Sequence, residues 1–265
     1  MRIENRPTGK TSFVNQAFKN SEIIVDNDRF YYILKEHKTQ TFSMKRSQIN
    51  TLQREAAQFF AKRQFHLPPW AFWRPAHWEK NKARAEEIKT LRLGWDLTDF
   101  GAGDFFHCGL LLFTLRNGRL AQPGGKDYAE KVMIVRENQI TPLHFHWHKM
   151  EDIINRGGGK LVIEMWNSTP DENPANTPVT VLVDGIPRAL QPGEPLILTP
   201  GESVTLPPYL YHQFYGAPNN GPVLVGEVSR VNDDANDNRF HQPAGRFPQI
   251  EEDEEPLYLL CTEYP

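Results

Sequence analysis

The stretch Thr141-Pro142-Leu143-His144-Phe145-His146-Trp147-His148-Lys149-Met150-Glu151 carries the reading around which the rest of the chain is organised. Side chains alternate along a strand, so in an extended segment His144 and His146 point to one face. Glu151 follows five residues after His146, which leaves room for a hairpin turn that returns its carboxylate to that face. Two imidazoles and a carboxylate supply a mixed nitrogen–oxygen ligand set for a divalent first-row metal. His212, in Leu206-Pro207-Pro208-Tyr209-Leu210-Tyr211-His212-Gln213-Phe214 at the start of another strand, is the fourth candidate ligand. A His-x-His pair alone is common; the carboxylate at this offset lifts the stretch above coincidence. His148 shares the face by strict alternation, but the turn toward Glu151 begins there, so it is assigned to the surroundings of the metal and not to its ligands. His66, His77, His107 and His241 have no partner at ligand spacing. The aromatic residues Phe145, Trp147, Phe214 and Tyr215 alternate with the ligands and are expected to pack the interior.

Working outward, short β-like runs at 109–115, 130–135, 142–147, 161–166, 179–183, 195–198, 202–206 and 223–228 are separated by turn signals such as Asn117-Gly118, Gly157-Gly158-Gly159, Asp184-Gly185 and Pro200-Gly201. Many short strands with such punctuation predict a mainly β chain, an antiparallel sandwich or barrel rather than βαβ units. Before it, a helix is expected from Met44 to the Pro68-Pro69 pair, with Ile49, Leu52, Ala56, Phe59 and Phe60 on one stripe and Ser47 or Asn50 as cap. Residues 66–78 hold Trp70, Trp73 and Trp78 among three prolines and read as an irregular aromatic wrap. A second, solvated helix is expected over 78–90, and the acidic run Glu251–Glu255 reads as a solvated face. The first 43 residues mix short β-like runs with polar residues and stand apart, as a poorly ordered extension or a start assigned too far upstream.

Composition narrows the function classes. The chain has 265 residues with 30 Lys+Arg against 33 Asp+Glu, a net charge of −3, which argues against a nucleic-acid binder. Its two cysteines, Cys108 and Cys261, exclude a disulfide scaffold and a cysteine-based zinc module, and they fit a cytoplasmic protein. The longest apolar run, near 108–115, is far short of the roughly 20 residues that span a bilayer, and no apolar segment follows the N-terminus as in a signal peptide.

The metal-ligand stretch resembles the first cupin motif, G-x5-H-x-H-x3,4-E-x6-G, with His144, His146, Glu151 and Gly158 in register and Asn138 at the first glycine. Asparagine tolerates the left-handed backbone almost as glycine does. The second motif, G-x5-P-x-G-x2-H-x3-N, is matched by Gly201, Pro207 and His212, with Tyr209 and Gly216 as departures. Longer segments, Lys131–Arg136, His144–Gly159 and Gly226–Asp234 through Asp237-Asn238-Arg239-Phe240, are similar to the D-lyxose isomerases over about Met44 to Pro265.

That resemblance implies a cupin-type antiparallel β-barrel, or jelly roll, with N-terminal helices packed on its outside, and a catalytic unit of residues 44–265. It implies a homodimeric, Mn(II)-dependent aldose–ketose isomerase acting on D-lyxose and D-mannose through a metal-stabilised enediol. His144, His146, Glu151 and His212 are then the metal ligands. Glu227, on a strand after the second motif, is the candidate base; Lys149, between the ligands, is a proton shuttle whose pKa a nearby cation would depress. Asp237 and Arg239 are candidate holders of sugar hydroxyls. Two other readings share the ligand set: an Fe(II) cupin dioxygenase, which needs O2 and no acid–base pair, and a non-catalytic sugar-binding cupin, a class in which metal ligands are often lost.

Overall fold

The period-two alternation of the strands resolves into two sheets that share one core, with a second core on the outside of the larger sheet. A computed structural model of the chain describes residues 22–26, 29–33, 43–120, 124–245 and 249–265. The chain divides into two compact units, Met1–Thr41 and Phe42–Pro265. In the first, strands β1 (Glu22–Asp26) and β2 (Arg29–Ile33) pair antiparallel; the rest of the 1–43 extension, bar the last residue, lies outside the described residues.

The second unit opens with β3 (Ser43–Lys45) and helix α1 (Arg46–Lys62), followed by the short helices α2 (Pro75–Asn81) and α3 (Glu86–Thr90). Strands β4 (Gly94–Thr98), β5 (Leu110–Arg116), β6 (Tyr128–Val135), β7 (Thr141–Phe145), β8 (Glu151–Gly158), β9 (Leu161–Asn167), β10 (Val179–Val183) and β11 (Ile186–Leu190) come next. The chain ends with β12 (Leu196–Leu198), β13 (Ser203–Leu206), β14 (Leu210–Gly216), β15 (Val223–Arg230), β16 (Arg239–Phe240) and β17 (Gln249–Glu251). The large sheet has the order β11-β10-β13-β8-β15-β6-β5-β4, the smaller one β12-β9-β14-β7-β16, and β17 pairs with β3.

Alternation assigns each side chain to a core. On β5 and β6, Leu110, Leu112, Met133 and Val135 face the smaller sheet and meet Ile163, Met165 and Phe214. Their neighbours Leu111, Phe113, Val132 and Ile134 face outward and are covered by Ile49, Leu52, Ala56 and Phe60 of α1. This is the mainly β, double-sheet architecture expected from the cupin resemblance, with the N-terminal helices on the outside. No helix among the described residues is long and apolar enough to cross a membrane.

Several local expectations change. Met44 belongs to β3, so α1 begins two residues later than its apolar stripe suggested. Its N-cap is Lys45, not Ser47 or Asn50, with the Lys45 amide donating to Gln48 Oε1 at 3.0 Å; Asp253 also accepts from the Ser47 amide at 2.9 Å and from the Ser47 hydroxyl at 2.7 Å. The acidic run is therefore structural as well as exposed, since the Glu252 carboxylate also grips the buried Arg46 guanidinium at 2.7 and 2.9 Å. The helix expected over 78–90 breaks into α2, a single turn at Lys82–Arg84 and α3. The Asn81 side chain donates to the His77 carbonyl at 2.8 Å, a local bond that competes with helix continuation. Burying Trp78 against Tyr264, with ring centroids 4.0 Å apart, ties this aromatic wrap to the C-terminus.

Phe60 is fully buried and stacks on Trp95 at 6.4 Å, so Phe60→Ala is expected to lower unfolding stability by about 3–5 kcal/mol in urea titrations. The Arg46 guanidinium holds Glu252 below the ordinary carboxylate value. A depressed folded-state value makes this contribution complete above the unfolded carboxylate's pKa and lost as pH falls through the folded one. Glu252→Gln should therefore flatten the acid side of the stability–pH curve.

Candidate active site

Strand pairing assembles the histidines. His144 on β7 lies directly across the ladder from His212 on β14, and His146 follows the end of β7. Their ring centroids are 4.3 Å (His144–His212), 5.0 Å (His144–His146) and 5.7 Å (His146–His212) apart. All three are buried, and one ligand nitrogen from each lies within 4.8 Å of the others. Glu151, at the start of β8 in the opposite sheet, sets Oε1 3.1 Å from His212 Nε2 and 3.5 Å from His146 Nε2.

Backbone carbonyls decide which nitrogen is available. His144 Nδ1 bonds the Pro142 carbonyl at 2.7 Å, His146 Nδ1 the Asp237 carbonyl at 2.7 Å, and His212 Nδ1 the Leu210 carbonyl at 3.0 Å. A carbonyl only accepts, so each Nδ1 carries the proton and each Nε2 presents a lone pair. The Nε2 atoms of His146 and His212 are buried without a hydrogen-bond partner. Buried acceptors are rarely left in that state, and three imidazole lone pairs beside a carboxylate fit a divalent cation. Burial, with His212 and His146 close by, pushes His144 well below the ordinary histidine value and so keeps it in the neutral form that ligation needs.

Next to the histidines lies a chain of buried charges. Lys149 Nζ bridges Glu151 Oε2 at 2.7 Å and Glu227 Oε1 at 3.0 Å. Burial would lower the Lys149 ammonium, but Glu151, Glu227 and Asp234 outweigh it and hold it above the ordinary lysine range. Burial would likewise raise Glu151, yet Lys149 and His146 hold its carboxyl well below the usual carboxylate range. Lys131 Nζ also contacts Glu227 Oε1, at 3.2 Å.

All of these groups but His212 line a cavity of about 330 Å³, within the size range of small-molecule sites. His144, His146, Lys149, Glu151, Glu227, Lys131 and Asp234 form its polar wall; Phe100, Leu110, Leu112, Phe214 and Phe240 face them. Phe240 stacks on the His144 ring at 5.3 Å. Asp237 and Arg239 are not in this lining. The Asp237 carboxylate instead accepts from the backbone amides of His148 and Lys149 at 2.8 and 2.9 Å, pinning the turn between His146 and Glu151. Arg239 pairs with Glu172 at 3.0 Å and donates to the Phe240 carbonyl. His148, His66, His77 and His107 are exposed. Lys131 has no motif of its own in the sequence, although its alternation with Met133 and Val135 marks it as inward-facing.

The two residues that stand where the cupin motifs carry glycine, Asn138 and Tyr209, keep the backbone a glycine would adopt. Asn138 has φ 56°, and Tyr209 has φ 62° while its amide donates to the His146 carbonyl at 2.9 Å. The Tyr209 ring packs on Phe145 at 5.3 Å.

The family model described as D-lyxose isomerase matches residues 44–264. A D-lyxose/D-mannose isomerase of Serratia proteamaculans is 52% identical over 226 residues, spanning 83% of this chain and 98% of that protein. A D-lyxose/D-mannose isomerase of Escherichia coli O157:H7 is 51% identical over 223 residues, with the same coverage. Among solved structures, the L-ribose isomerases of Cellulomonas parahominis and Acinetobacter sp. DL28 each match with TM-score 0.54 at 15% identity, over 80% of this chain and all of theirs. At that identity they speak for the shared fold alone.

The Asp237 geometry separates two roles. Asp237→Ala is expected to weaken divalent-metal affinity about 10–100-fold in chelator competition, because the turn and the His146 support loosen. Unchanged metal affinity with a raised sugar KM would return Asp237 to the sugar-holding role.

Proposed function

The chain belongs to the D-lyxose isomerase family, and from that membership we propose that it interconverts D-lyxose with D-xylulose, and D-mannose with D-fructose, with Mn(II) held by His144, His146, His212 and Glu151. The observation that supports this most is the cluster of three buried imidazoles with Glu151 beside them, of which His144, His146 and Glu151 line one cavity with the Glu227–Lys149 pair. We place the activity in residues 44–265.

When bound, a divalent cation supplies Lewis-acid polarisation of the sugar oxygens at C1 and C2. The remaining chemistry belongs to the chain. Aldose–ketose exchange moves one proton from C2 to C1 and another between the two oxygens. Glu227, as carboxylate, takes the C2 proton, and the electron pair left on carbon forms the C1–C2 double bond of the enediol. Lys149, held charged among carboxylates, gives a proton to O1 and takes one from O2. Glu227 then returns its proton to C1, so both side chains end as they began. The apolar wall of Phe100, Phe214 and Phe240 limits water at the reacting carbons. A neutral sugar needs no cationic clamp, in keeping with a net charge of −3. The same reading includes a homodimer, supported by the exposed apolar side chains Leu182, Ile186 and Ile197 at the sheet margins.

The test uses full-length protein stripped of metal, reloaded with Mn(II), and incubated with D-lyxose or D-mannose in D2O. Ketose with deuterium at C1 is expected; no ketose with any divalent metal contradicts the reading. Glu227→Gln should retain metal and lose about 10²–10⁴ in kcat, whereas full activity would remove Glu227 from the base role.

A further inference from the structure

Lys131 is an unusual residue for its position. It lies on the inner face of β6, in the row that continues as Met133 and Val135, and is 5% exposed. An apolar side chain would fill that row without the burden of a buried ammonium. Directly across the ladder from Lys131 stands Glu227 on β15. The ammonium bonds Asn232 Oδ1 at 2.5 Å and approaches Asp234 Oδ1 to 3.7 Å, both in the loop that follows β15. It also contacts Glu227 Oε1 at 3.2 Å, the same oxygen that Lys149 reaches at 3.0 Å.

Resting on the reading of Glu227 as the proton-transfer base, we propose that Lys131 is a positioning residue that clamps Glu227 Oε1 between two ammonium groups and so presents Oε2 to the substrate. A carboxylate on a strand has χ angles free to swing toward either lysine. Two cations converging on one oxygen from separate elements remove that freedom, because rotating the carboxylate away would leave both ammoniums short of a partner. The tie to Asn232 and Asp234 also couples the base to the loop that carries Asp234 and Asn238 along the cavity wall. The hydrogen bond and ion pairs of Lys131 described here run to Asn232, Asp234 and Glu227 and not to the four candidate metal ligands, so its effect runs through Glu227.

The experiment is a double-mutant cycle on the full-length, Mn(II)-loaded chain with D-lyxose or D-mannose. Lys131→Met is expected to lower kcat about 10–100-fold, the scale of a misplaced catalytic group, with KM and bound metal little changed. In a Glu227→Gln background the same substitution should add almost nothing, because a residue acting only through Glu227 has nothing left to position. Lys131→Arg, which keeps the charge, should recover part of kcat. Equal losses in both backgrounds, or loss of kcat in step with metal content and melting temperature, overturns the inference. Should Lys131→Met fail to fold, Lys131→Gln, which still reaches Asn232, is read by the same criteria. A fully active Glu227→Gln would sink the base assignment itself, an outcome distinct from failure of the cycle.

Discussion

Three buried imidazoles with ligand nitrogens within 4.8 Å of one another, beside a buried carboxylate, are the constraint on which the rest of this structure depends. Each lone pair exists because a main-chain carbonyl holds the other ring nitrogen as a donor. Those carbonyls belong to Pro142, Leu210 and Asp237, so the strand ends and the 231–238 loop must keep their places for the site to exist. Asp237 ties the arrangement together from both ends of the residue. Its carbonyl orients His146, and its carboxylate holds the turn from which Lys149 and Glu151 project. A buried cluster of this kind is unfavourable unless every charge is matched, and the lysines and carboxylates alternate through the cavity wall accordingly.

The double-sided large sheet makes this affordable in packing terms. Even positions on β5 and odd positions on β6 look into the cavity core, while the interleaved residues carry α1 and the aromatic wrap. The same strand therefore anchors the helices with Val132 and Ile134 and presents Lys131 to the site.

How much of this was legible in the sequence follows from the range of each interaction. His144, His146 and Glu151 are separated by a strand and a turn, so their convergence is a local consequence of period-two geometry. His212 could be named as a ligand, but only the β7–β14 register sets it opposite His144. The buried stripe of α1 was visible at helical spacing, whereas Asp253, which accepts from the first-turn amide of Ser47, comes from the far end of the chain and leaves no local signature. Strand β11 has mostly exposed residues and no alternation, and it passed unread. Asp237 illustrates the limit most clearly: residue type and motif suggested a sugar contact, while tertiary structure turns its carboxylate toward two backbone amides. Lys131 shows the converse, an inward-facing charge whose partner across the ladder becomes evident only once β6 and β15 are paired.

The most direct measurement is diffraction at the manganese absorption edge from crystals of the Mn(II)-reloaded full chain. One anomalous peak enclosed by the Nε2 atoms of His144, His146 and His212 and by the Glu151 carboxylate is the predicted result. No peak there in catalytically active crystals, or a peak held by other side chains such as Asp233 and Asp234, would contradict the account.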